Sequence, residues 1–134
     1  MLMRLFAAVL LVSLASPAAA LEGCFAESTG GWRGPVLNGP GLQTMDAEFQ
    51  IDTQDRLVGR YHVHDVVPFD GALTDFQQTG ACEADFFWHD RYGSGVVHIR
   101  FEPEKGRFLG YWGRDQPNPA LIFDGFRIRP PAVS

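Results

Sequence analysis

Between Ala84 and Gly113 the chain reads as three strand-like runs punctuated by two turn signals, Gly93-Ser94-Gly95 and Glu102-Pro103-Glu104-Lys105-Gly106. Within the middle run Val97, Ile99 and Phe101 sit two apart, with His98 and Arg100 between them. Side chains on an extended backbone alternate between faces, so this spacing puts the apolar set in a core and the polar set in water. Met45, Ala47, Phe49 and Ile51 repeat the pattern against Asp46, Glu48, Gln50 and Asp52. A chain patterned this way folds as antiparallel sheet, because only antiparallel neighbours can be joined by turns this short.

The same reading extends along the chain. It predicts strands over residues 30–37, 45–51, 57–63, 69–77, 82–91, 96–101, 107–113 and 121–129. The longest polar connection, Arg114 to Pro119, carries two prolines that exclude a continuing ladder. No window outside the N-terminal segment carries a helical stripe. Apolar-x-Gly recurs as Leu57-Val58-Gly59, Phe69-Asp70-Gly71, Phe108-Leu109-Gly110 and Phe123-Asp124-Gly125. Glycine weakens a strand, so its recurrence points to curvature, with a neighbouring aromatic covering each gap. About eight strands joined by short turns predict an all-β fold, an antiparallel up-and-down barrel, which removes the exposed edges of an open meander. A two-sheet β-sandwich is the alternative.

The first twenty residues read as a signal peptide. Arg4 supplies the positive start, Leu5 to Leu14 an apolar stretch too short to span a bilayer, and Ala18-Ala19-Ala20 the small residues before cleavage. The expected organisation is therefore residues 1–20 as leader and 21–134 as a single β-barrel domain, located in the periplasm or outside the cell. Leu21-Glu22-Gly23-Cys24 also loosely fits a lipid-attachment signal, with Glu22 a poor match. Removing Arg4 takes the formal charge from −5 to −6, which disfavours phosphate backbones and so nucleic acid as a partner. Cys24 and Cys82, the only two cysteines, enter an oxidising compartment and are expected to form a disulfide.

Thr29-Gly30-Gly31-Trp32 resembles the Gly-x-Trp that opens the first strand of calycin barrels, the lipocalin and avidin group. The resemblance implies a barrel in which an arginine of the last strand, Arg127 or Arg129, covers Trp32. It implies no particular ligand, and the polar set that holds biotin in avidin is not recognisable.

Two sets of residues are candidates for chemistry. Trp32, Phe49, Tyr61, Phe76, Trp88, Phe101, Trp112 and Phe123 fall at inward positions of successive strands. From these, Trp32, Tyr61, Trp88 and Trp112 are the expected ligand-binding residues if the interior is open; rings that simply fill the core are the alternative. The second set is His62-Val63-His64, whose imidazoles share a strand face and, with a third ligand from His89, Asp90 or His98, would suit zinc or copper. No serine sits in a nucleophile elbow, and the acidic pairs Asp85 with Asp90 and Glu102 with Glu104 fall near turns, so no catalytic residue is assigned. The sequence thus points to a small exported binding module for an apolar small molecule or a protein partner, with no cofactor. A His-x-His metal-binding protein and an enzyme of unassigned type are the alternatives.

Overall fold

The computed structural model describes residues 23–39 and 41–131; the expected signal peptide lies outside the described residues. Eight antiparallel strands close into a barrel in simple sequence order: β1 (Gly30–Asn38), β2 (Gly41–Ile51), β3 (Leu57–His64), β4 (Phe69–Gly80), β5 (Glu83–Asp90), β6 (Gly93–Glu102), β7 (Arg107–Gly113) and β8 (Gly125–Arg129). β1 pairs with both β2 and β8, which closes the wall and excludes the sandwich. Burial alternates as the sequence pattern requires. On β3, Leu57, Gly59, Tyr61 and Val63 are buried while Arg60 and His64 are exposed.

Inward aromatics face glycine across the strand pairing. Phe49 pairs with Gly59, Tyr61 with Gly71, Trp88 with Gly95 and Phe108 with Gly125. In each pair the ring occupies the volume a side chain on the glycine would need; a Cβ on Gly71 would overlap the Tyr61 ring, and one on Gly125 the Phe108 ring. Alternation of large and absent side chains therefore fits big rings into a narrow barrel.

The last strand departs from the sequence expectation. Instead of one run over residues 121–129, Ile122 and Phe123 make isolated bridges to Tyr111 and Val36, and the regular ladder begins only at Gly125. Pro35 has no N–H to donate, so it cannot return the hydrogen bond that a ladder with the last strand needs here. Its carbonyl instead accepts the Asp124 N–H at 3.0 Å.

The arm before β1 also differs: Cys24–Glu27 forms a one-turn helix, α1, too short to leave a periodic trace in the sequence. α1 lies at the end of the barrel where Cys24 is bonded to Cys82 beyond β4. With its sulfur committed to Cys82, Cys24 has none to offer a lipid. Phe25, 1 % exposed, sits edge-on against Phe76 at 5.1 Å and Phe101 at 6.0 Å.

Candidate functional site

The interior divides into two halves. Around α1 it is filled: Phe49 meets Phe101 at 5.2 Å and Phe108 at 5.7 Å, both edge to face, and Trp32 meets Phe108 at 5.4 Å. Trp32 is wholly buried, its Nε1 donating to the Ser28 carbonyl at 3.0 Å. The Arg127 guanidinium lies 3.9 Å from the Trp32 ring centroid and donates to the Thr29 and Glu27 carbonyls. Of the two arginines expected to cover Trp32, it is Arg127 that does so. Burial lowers the Arg127 pKa from its ordinary value.

Toward the turns joining β1 to β2, β3 to β4, and β5 to β6, the interior opens into a small cup of about 50 Å³. Its most buried walls are Val97, Val63 and Phe123, and its aromatic walls are Tyr61, Phe69, Trp88 and Trp112. Trp88 and Trp112 stand edge to face, 5.4 Å apart and 84° between planes. Both indole N–H groups are already committed. Trp88 Nε1 donates to the Gly113 carbonyl, and Trp112 Nε1 to the Leu37 carbonyl, each at 3.0 Å. The two indoles thus line the cup as apolar surface, each tied by its polar corner to the backbone.

The polar side of the cup follows from strand register. Tyr61, Gly71 and Asp90 lie opposite one another across β3, β4 and β5. Because Gly71 has no side chain, the Tyr61 ring lies across β4 and its hydroxyl donates to Asp90 Oδ2 at 2.7 Å. Asp90 Oδ1 accepts the Tyr92 N–H at 2.8 Å. Burial, then the hydrogen bond to Asp90 and its charge, push the Tyr61 phenol well above its ordinary pKa, so it remains a donor at physiological pH. Among the described residues no Lys, Arg or His forms an ion pair with Asp90. At the rim Arg91 stacks over Phe69 and Tyr92, at 5.5 and 5.0 Å, and donates to the Val67 carbonyl at 3.1 Å.

Of the four residues expected to bind ligand, Tyr61, Trp88 and Trp112 line the cup, whereas Trp32 belongs to the filled end and is not part of its lining. In the sequence Asp90 reads as a turn acid or as a third metal ligand beside His62 and His64. Its position two residues after the inward Trp88 is the signal that places it in the interior, while Asp85, at odd spacing, points outward to His98. The two carboxylates therefore lie on opposite faces of one strand and do not act as a pair. Glu102 is held by Arg100, Arg107 and Lys105 at 3.1 to 3.4 Å.

The histidines sit on the outer wall. His62 and His64 have ring centroids 4.7 Å apart, but each is engaged separately, His62 with Asp70 at 2.8 Å and His64 with Asp46 at 2.9 Å. His98 is on β6, which does not adjoin β3, and bonds Asp85 at 2.7 Å. Among the described residues no three His, Cys, Asp or Glu side chains converge as a metal site. No helix among them is long and apolar enough to cross a membrane. No family model, no curated protein and no solved structure matches this chain.

Proposed function

We propose that this chain is an exported, calycin-like binding module that takes a small apolar molecule into the cup between Tyr61, Trp88 and Trp112. The observation that carries the reading is the cup itself: an opening lined by aromatic rings and valines at one end of an otherwise filled barrel. A domain stabilised by burial alone gains from closing such a space, since each unfilled methyl-sized volume costs about 1 kcal/mol. The Arg127–Trp32 stack agrees with the calycin resemblance, and the Cys24–Cys82 disulfide suits a periplasmic or extracellular setting.

Titration with the neutral dye phenylnaphthylamine, followed by its fluorescence, tests this reading. Saturable uptake near one dye per chain is expected, weakened about tenfold by Trp112→Ala, which removes one wall. Absence of uptake by the folded wild-type protein would overturn it.

A further inference from the structure

Resting on that reading, we infer that the ligand is an organic cation, a quaternary or methylated ammonium group held between the ring faces of Trp88, Trp112 and Tyr61 and the carboxylate of Asp90. A neutral apolar occupant would cover Asp90 without supplying a counter-charge, and burying a carboxylate that has no cationic partner is unfavourable. Tyr61 and Tyr92 give this carboxylate two hydrogen bonds, but neither brings a positive charge. A cationic ligand removes that penalty on entering.

The aromatic walls point the same way. The face of an aromatic ring carries the negative part of its quadrupole and attracts a cation within about 6 Å of the centroid. Trp88 and Trp112, nearly perpendicular at 84°, form two sides of a corner, and Tyr61 lies beside Asp90. Both indole N–H groups are spent on backbone carbonyls. An indole has no acceptor, so the rings offer nothing to replace the water to which a primary ammonium's N–H groups donate. A methylated ammonium is weakly hydrated and loses little in such a site. The formal charge of −5 for the whole chain adds long-range attraction for cations. The rim cation Arg91 is held on Phe69 and Tyr92 and is not part of the cup's lining.

The test is displacement of bound phenylnaphthylamine by choline and by its carbon isostere, in which tert-butyl replaces trimethylammonium. Choline is expected to displace the dye at least about tenfold more strongly than the isostere. Asp90→Asn, which keeps an acceptor for the Tyr61 hydroxyl, should collapse that ratio toward one. Asp85→Asn removes a carboxylate from the outer face of the same strand and should retain the ratio, which an effect of overall charge would not do. If the isostere competes as well as choline while the dye still binds, the cation inference is overturned and the binding reading stands. A folded protein that takes up no dye and shows no choline-dependent change in tryptophan fluorescence would sink both.

Discussion

The two ends of this barrel are built from the same strands yet use their aromatic residues in opposite ways. At the end closed by α1 the rings are mainly phenylalanine, which has no polar atom, and they meet edge to face until the interior is full. At the other end tryptophan and tyrosine join Phe69 and Phe123, and their polar groups are tied to the wall: Trp88 to Gly113, Trp112 to Leu37, Tyr61 to Asp90. A ring anchored by its N–H or O–H is not free to swing into the centre. Polar anchoring thus props the cup open, whereas unanchored rings collapse together. Trp32 obeys the same rule in reverse, since its anchor, Ser28, belongs to the segment that plugs the closed end.

The sharpest break in this comparison would come from truncating one ring at each end. Phe108→Ala is expected to cost about 3–5 kcal/mol, because it empties a fully enclosed site. Trp112→Ala, on a half-buried residue beside existing empty space, should cost about 1–2 kcal/mol despite deleting more atoms. Urea unfolding of the two variants measures the contrast. Equal costs would mean that the open end is packed as tightly as the closed one.

Next in size is the clasp on the closed end. The Cys24–Cys82 bond closes a loop across a sequence separation of 58 residues. Replacing both cysteines by serine should cost about 2–4 kcal/mol, chiefly by restoring freedom to the unfolded chain. The comparison adds a requirement: loosening α1 should leave dye uptake at the far end intact at temperatures where the variant is folded. Loss of uptake in the folded variant would show that the plug and the cup are one cooperative unit.

How much of this was legible beforehand follows from which forces are local. Alternation in Met45 to Ile51 and Val97 to Phe101 reports strand faces directly, so the barrel and the inward positions of Tyr61, Trp88 and Trp112 could be read from spacing. The glycine and aromatic pairing was legible as a pattern, although the partners were not, because register is a long-range property. What could not be read was the level of each ring along the barrel axis. Trp32 and Trp112 are both inward tryptophans, and only the stagger of the strands separates one into the plug and the other into the cup. α1 was hidden for a different reason: its four residues form one turn, and periodicity needs more than one. Asp90 was visible as a residue, yet its role depends on Gly71 lying between it and Tyr61.

Gly71 gives a finer test of the propped-open end. A methyl group there would enter the space of the Tyr61 ring, so Gly71→Ala should cost about 1–3 kcal/mol and pull the hydroxyl away from Asp90. Gly41→Ala, where nothing lies within 4 Å of the added carbon, should change stability by less than about 0.5 kcal/mol. Thermal unfolding compares the pair, and near-ultraviolet dichroism reports the tyrosine environment. A Gly71→Ala protein as stable as wild type, with unchanged tyrosine signal, would show that the ring has room to spare.

The smallest effect concerns the seam where the wall closes beside the cup. Burial raises the Asp124 pKa, only partly offset by the Gly110 N–H it accepts at 3.1 Å. On the outer wall Asp46 is shifted the other way: the hydrogen bond from Arg33 leads, opposed by partial burial and helped by His64, and its pKa falls. The signs then differ. For Asp46 the stabilisation is present above the unfolded value, about pH 4, and is lost as pH drops through the lower folded value. For Asp124 the folded protein binds its proton more tightly than the unfolded chain, so stability declines as pH rises from the unfolded value through the folded one. Asp124→Asn keeps an acceptor for Gly110 and removes that decline. It should stabilise the protein at neutral pH by less than about 1 kcal/mol, since the group is partly solvated, and by nothing below about pH 3. Asp46→Asn should destabilise at neutral pH and converge with wild type in acid. Unfolding midpoints of the two variants across that range should therefore diverge from wild type in opposite directions, and parallel curves would mean that the seam carboxylate is as well solvated as any surface acid.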